Sequence, residues 1–380
     1  MAFSLGNIFK GLSGGAKEGS VLGIDIGASS AKIVQLRASR GVAVLETYGE
    51  IALGPYAQQP IGKAVKLSPE KLAEVLRDLM KESNVTASVA GVSIPFSSSL
   101  VSVISLPPAD NEALKRIIPI EARKYIPVPV SEVSLDWFVI PHEEGSDSAF
   151  DQLQEKKPGA SNNQEVLLVA IHNATLKNYQ TIMENAGLGA SFYEIEIFSS
   201  MRSALGHGIA PILIVDLGAS TTKMYVAERG VIRMTHLLTL GGQHVTETLA
   251  RSMNWEFDKA ERVKRERGFV DSSAYSTDEN VRIKEALLST LSRVFSEVNR
   301  VLLSYGQRYN KNVSTVVLTG GGASLPGIAA VAKTSLNAEV SIADPFSHTE
   351  APAFLAKVLS EIGPGFSVSV GLAMRKLKHN

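Results

Sequence analysis

Residues 21–36 read VLGIDIGASSAKIVQL. Val21, Leu22 and Ile24 form an aliphatic, β-favouring run that reaches Asp25. Gly27, Ser29 and Ser30 then make a turn, and Lys32, Ile33 and Val34 leave it as a second strand. Gly27 permits a tight backbone, and the N–H groups and hydroxyls around Ser29 and Ser30 suit a phosphate. Asp25, at the strand end, suits Mg²⁺ held through water. A ligand-free hairpin can show the same residues, so one copy decides little. Residues 213–225, LIVDLGASTTKMY, repeat the stretch. Asp25 matches Asp216, Gly27 matches Gly218, Ser29 matches Ser220 and Lys32 matches Lys223, at an offset of 191 residues (216 − 25). Two phosphate turns half a chain apart predict two similar lobes facing a shared nucleotide.

The chain has 380 residues, enough for two or three domains. Lys+Arg and Asp+Glu both number 38, so no basic excess points to nucleic acid. With no cysteine there is neither a disulfide nor a thiolate zinc site, and seven scattered histidines show no zinc-binding spacing. No run approaches the ~18 apolar residues of a membrane span. Residues 1–19 are expected to be a mobile segment, with Phe3, Ile8, Phe9 and Leu12 on one side of a brief helix as the alternative.

Strand patterns continue over 42–53, 87–94 and 100–106, with a helix from Ser68 whose apolar face is Leu72, Val75, Leu76 and Leu79. Residues 111–125 are helical in pattern, with Pro119 expected to kink or split them. Strands are expected at 133–140, 166–171 and 192–197, and a helix at 175–185; the polar run 143–164 reads as a mobile loop. After the repeated hairpin comes a strand at 231–240. Helices are expected over 245–253, 258–267 and 281–309, then a strand over 313–319. Gly320, Gly321 and Gly322 follow, then a helix with Ser324 as N-cap, and a final helix over about 366–376.

The candidate phosphate and nucleoside residues are Gly27, Ser29, Ser30, Lys32, Gly218, Ser220, Thr221, Thr222 and Lys223, together with Gly320, Gly321 and Gly322 after a strand. Asp25 and Asp216 are the candidate metal ligands. Glu261 and Lys264 are candidates for a ribose and adenine rim, although their run reads equally as a solvated helix face.

The motifs Asp25-x-Gly27-x-Ser29-x-x-Lys32, Asp216-x-Gly218-x-Ser220-Thr221-Thr222-Lys223 and Gly320-Gly321-Gly322-x-x-Leu325 resemble the phosphate-one, phosphate-two and adenosine motifs of the actin-like ATPase superfamily. Within it the chain is most similar to the PilM family of type IV pilus assembly, through ARKYIPVPVSEVSLDWF (122–138), the GGQHVTETLARS run from Gly241, and EIGPGFSVSVGLAMR (361–375). The resemblance covers residues 20–377 and implies an α/β actin-like ATPase fold: two lobes around a nucleotide cleft, with an FtsA-type inserted subdomain in the first lobe. The boundaries it implies are a first-lobe core at 20–107, completed by 190–210 and 355–380, an insertion at 108–189, a second-lobe core at 211–240 with 313–354, and a helical nucleotide-side subdomain at 241–312.

The resemblance further implies ATP and Mg²⁺ as cofactors, at most weak ATPase activity, and Glu196 as the residue that orients the attacking water. Members of the superfamily place an acidic residue where the first lobe's chain returns from the insertion, often as Glu-Pro, where this chain has Glu196-Ile197. The implied partners are the N-terminal cytoplasmic peptide of inner-membrane PilN and other pilus-assembly proteins at the inner membrane, with self-association left open. The implied location is cytoplasmic, peripheral to the inner membrane through a partner. Leu114, Ile117, Ile118 and Tyr125 are candidates for one wall of the peptide groove, with core packing as the alternative. An FtsA-like division filament protein and a small-molecule kinase of the same superfamily are the alternative functions.

Overall fold

The computed structural model describes residues 19–141, 163–206 and 208–377. The expectations for residues 1–18 and most of 143–164 lie outside them; Gln164 already opens a strand. Of the described residues, those of 98–176 form one compact unit, and those of 19–97 and 177–377 form a second.

The larger unit contains one topology twice. In the first half, β1 (Ser20–Ile26), β2 (Ser30–Ser39) and β3 (Val42–Ala52) form an antiparallel meander. β4 (Val89–Ile94) and β8 (Gly189–Ile195) then add in parallel, giving the order β3-β2-β1-β4-β8. The second half repeats this as β11-β10-β9-β12-β13, from β9 (Ile212–Leu217), β10 (Thr222–Glu228), β11 (Val231–Leu238), β12 (Thr315–Thr319) and β13 (Glu339–Ile342). Asp25 sits directly opposite Lys32, and Asp216 directly opposite Lys223. The second hairpin is repeated as well. Arg40-Gly41 and Arg229-Gly230 both take positive φ, the two-residue turn whose twist suits a hairpin.

Helices cover these sheets for reasons visible in their sequences. Thr277–Tyr309 starts at a Ser276/Glu279 capping box, and buries Leu287, Leu291, Val294, Phe295, Val298 and Tyr305 at three- and four-residue spacing. It begins earlier than position 281 because the cap is at 276. Pro69–Glu82 is capped by the Ser68 hydroxyl. The adenosine-motif helix runs over Ile328–Ser335, and its N-cap is Gly327 rather than Ser324; residues 321–324 form a short 3₁₀ turn.

Residues 353–376 are, among the described residues, one run long and apolar enough to cross a membrane, contrary to the reading from composition. Here the run is broken into short helical pieces. Its last piece, Ser367–Lys376, lies so close on β1 that a side chain at Gly23 would overlap the Ser369 carbonyl, and one at Gly371 would overlap that of Ser199. The apolar residues of this last piece, Val368, Val370, Leu372 and Ala373, are buried in protein. Glu194, fully buried, accepts from Arg202 and Ser199 and pairs with Arg375, tying that helix to Glu196–Ala204.

The smaller unit is the sheet β5-β7-β6, from β5 (Ser99–Leu106), β6 (Val133–Val139) and β7 (Gln164–His172), with helix Asn111–Ala122 on it. β5 therefore pairs along its length with β7, although its position in sequence joined it to the first-lobe core. Pro119 neither splits nor ends the helix at that point. It lies in the last turn of a helix that continues to Ala122. Leu114 and Ile118 are buried in this unit's core, which removes them as groove lining. Ile117 packs against that core, while Tyr125 and Ile120 are exposed.

Candidate nucleotide site

Each repeated turn closes in the same way: Gly27 N–H donates to Ser30 O, and Gly218 N–H donates to Thr221 O, both at 3.0 Å. The carbonyls of each turn are taken up behind it. Val65 and Leu53 N–H groups donate to Ala28 O and Ser29 O, and Gly242 and Gln243 N–H groups donate to Gly218 O and Ala219 O. In a trans peptide the N–H points opposite the C=O. The amides of Ser29, Ala219 and Ser220 are therefore turned away from the protein segments that hold these carbonyls, and the hydroxyls of Ser29, Ser220 and Thr221 have no protein partner among the described residues. These are two nests of free donors, the arrangement that receives phosphate oxygens. Thr222 is different: it is fully buried and its hydroxyl donates to Leu240 O at 2.8 Å, a structural bond.

The charged groups meet close by. Lys223 Nζ donates to Glu196 Oε2 at 2.5 Å and to Asp216 Oδ2 at 2.9 Å. Glu196 Oε1 accepts the Phe96 N–H at 2.7 Å, so both of its oxygens are engaged. It is the first residue of helix Glu196–Ala204, not the end of a strand. Burial pushes the Glu196 carboxyl above its ordinary range; Lys223 opposes this, and Asp216 and Asp25 add to it. Asp25 accepts from the Ser93 hydroxyl at 2.8 Å, and burial raises its pKa against the pull of Lys32, Ser93 and Lys223. Lys32 turns elsewhere, to Glu50 at 3.0 Å and the Ser30 hydroxyl at 2.8 Å.

The glycine turn after β12 lies against the second aspartate. Gly320 has φ 80° and ψ 169°, a region open to glycine alone, and a Cβ there would overlap Asp216 Oδ1. A Cβ on Gly322 would come 2.7 Å from Leu217 Cβ, whereas one on Gly321 would meet nothing within 4 Å. Gly320 N–H donates to Pro364 O at 2.8 Å, which joins this turn to the segment leading into the last helix.

Glu261 and Lys264 form a buried cluster rather than a solvated face. Glu261 accepts from Thr246 at 2.5 Å, Lys264 at 2.6 Å and Arg265 at 2.6 Å, and Lys264 also reaches Gly242 O at 3.1 Å. Burial would raise the Glu261 carboxyl, but Lys264, Thr246 and Arg265 outweigh it; burial lowers Lys264. Gly242 in turn donates to the phosphate turn at Gly218, so the cluster is connected to that turn. From the first half, Ala64 N–H donates to Gln243 Oε1 at 2.9 Å across the cleft.

The residues fit a nucleotide with its metal. Free amides and hydroxyls suit phosphates, and a turn without side chains suits close approach. Among the described residues no three His, Cys, Asp or Glu side chains are grouped to hold a metal. One or two carboxylates supplemented by phosphates and water is the usual arrangement for Mg²⁺. Sequence reasoning missed Ser93 and Glu50, neither of which stands in a motif, and gave no role to Gln243 and Thr246, although both lie in the GGQHVTETLARS run. The Arg-Gly pair at 40–41 and 229–230 was a legible signal of the second repeated hairpin.

Comparison with known proteins agrees with this fold. A family profile described as type IV pilus assembly protein PilM matches residues 23–377. Cell division protein FtsA of Bacillus subtilis (strain 168) is 25% identical over 258 residues, 62% of this chain and 56% of that protein's length. A solved PilM-PilN type IV pilus biogenesis complex superposes with a TM-score of 0.75 at 24% identity, over 94% of this chain and 98% of that one. MreB 5 of Spiroplasma citri bound to AMPPNP gives a TM-score of 0.53 at 11% identity, over 94% and 96%. The fold is that of the actin-like ATPases, and the chain belongs to the family of type IV pilus assembly protein PilM.

Proposed function

We propose that this chain is an ATP·Mg²⁺-binding scaffold of type IV pilus assembly that docks the N-terminal cytoplasmic peptide of a PilN-like inner-membrane protein. The observation that carries the nucleotide part is the twofold Asp–Gly–Ser–Lys hairpin, with the same register in both halves and the amides of Ser29 and Ser220 at corresponding positions. Ser29, Ser30, Ser220 and Thr221 receive phosphates, with Lys32 beside them. Asp25 and Asp216 hold the metal, and Gly320, Gly321 and Gly322 accept the nucleoside, with Glu261 and Lys264 at its rim. Bound Mg²⁺ neutralises phosphate charge. Glu196 is the residue for orienting water, and because both of its oxygens are already engaged, turnover is slow.

The docking part rests on family membership and on the solved PilM-PilN complex. Such docking holds the chain at the inner membrane through its partner, where other pilus-assembly proteins and further copies of the chain meet it. Ile120 and Tyr125, exposed on the smaller unit, are available for apolar contact. Fluorescence anisotropy of a labelled PilN N-terminal peptide tests this part. Saturable binding is expected, with an affinity that changes when ATP·Mg²⁺ is added. Absence of binding in both conditions refutes docking.

A further inference from the structure

Lys32 and Lys223 occupy the same place in the two hairpins, each directly opposite the aspartate of its turn. Directly opposed residues of an antiparallel pair project from the same face of the sheet. Both ammonium groups therefore start beside an aspartate, yet they end on different partners. The next strand decides which. β3 sets Glu50 across from Lys32, and Lys32 goes to Glu50. β11 sets Leu237 across from Lys223, which offers no charge, and Lys223 goes to Asp216 and Glu196 instead. The site is thus asymmetric by one residue: among the described residues Asp25 accepts a side-chain hydrogen bond from the Ser93 hydroxyl and none from a lysine, while Asp216 is paired directly with Lys223.

Asp216, Glu196 and Lys223 are all largely withdrawn from water, with side-chain exposures of 8, 10 and 13%. Two buried carboxylates that share one cation are costly to separate from it.

We propose that Lys223 is the resident cation of the cleft: it competes with a divalent metal for Asp216 and Glu196, and keeps Glu196 from activating water while it is in place. The inference rests on the reading of this cleft as a nucleotide site. It makes the carboxylates poor metal ligands until the nucleotide arrives, so Mg²⁺ enters with ATP rather than before it. It also makes ATP binding less dependent on Mg²⁺ than two unpaired carboxylates would.

The test is Mn²⁺ binding to the nucleotide-free full chain, followed by electron paramagnetic resonance of free Mn²⁺. Lys223→Met keeps the length of the side chain and removes the charge; it is expected to bind Mn²⁺ at least about tenfold more tightly than the unaltered chain. Adding Asp216→Asn to that variant is expected to abolish the gain. A merely structural lysine would lower the melting temperature and leave Mn²⁺ affinity alone, and unchanged affinity in a folded Lys223→Met overturns the proposal. Leu237→Glu, which offers Lys223 the partner that Lys32 has, is the second variant and retains the lysine. It too is expected to gain Mn²⁺ affinity, and if Lys223→Met does not fold, an unchanged Leu237→Glu overturns the proposal. Failure of the unaltered chain to bind ATP would instead refute the nucleotide reading, a separate measurement.

Discussion

Replacing Gly320 by alanine has two costs that can be worked out from the structure. The backbone there, at φ 80° and ψ 169°, is closed to residues with a Cβ, which costs about 1–3 kcal/mol. The added methyl would also overlap Asp216 Oδ1 and lie 2.8 Å from Leu217 O and 2.9 Å from Leu217 N. Two of these three contacts are backbone, so a side-chain rotation cannot relieve them, and overpacking of this kind costs about 1–3 kcal/mol more. Gly320→Ala should therefore lower the unfolding free energy by about 2–6 kcal/mol. The neighbouring glycines calibrate the argument. Gly322→Ala brings a methyl 2.7 Å from Leu217 Cβ at ordinary φ, and should cost only the overpacking part, about 1–3 kcal/mol. Gly321→Ala meets nothing and should stay within about 0.5 kcal/mol. Guanidinium denaturation followed by circular dichroism reads all three. A Gly321→Ala as unstable as Gly320→Ala, or a Gly320→Ala as stable as the unaltered chain, refutes the reasoning.

Two further outcomes are expected. Burial would raise the Glu194 carboxyl, but Arg202, Arg375 and Ser199 outweigh it and hold its pKa below the ordinary value. Its contribution is therefore complete above about pH 4.5 and is lost as the pH falls through the folded-state value; in urea titrations from pH 7 to 3, Glu194→Gln should be less stable by about 3–5 kcal/mol at pH 7 and show a smaller loss in acid. If ATP·Mg²⁺ alters the affinity of the PilN peptide by some factor, saturating peptide must alter ATP affinity by the same factor; calorimetry that shows coupling in one direction only contradicts a shared equilibrium.

Much of this architecture was legible because it is local or repeated. Asp25-x-Gly27 and Asp216-x-Gly218 announced two hairpins, and Leu287 to Val298 announced the buried face of a long helix. The pairing of Lys223 was not legible, because it depends on Leu237 standing where β3 carries Glu50, a matter of register between strands. The same holds for Ser93, which reaches Asp25 from a parallel strand 68 residues away. Leu114 and Ile118 were offered as a groove wall because helical spacing marks a buried face without naming what buries it; here the answer is their own sheet. Pro119 does not split its helix, which runs on to Ala122.

ATP is proposed to bind between the two turns. A Cβ at Gly321 would meet no protein atom within 4 Å, so a larger side chain there is expected to disturb a ligand more than the fold. Calorimetric titration of ATP·Mg²⁺ into the unaltered chain and into Gly321→Leu tests this directly. One-to-one binding to the unaltered chain is predicted, weakened at least about tenfold in Gly321→Leu with its melting temperature unchanged. No binding to the unaltered chain, or equal affinity in both, contradicts it.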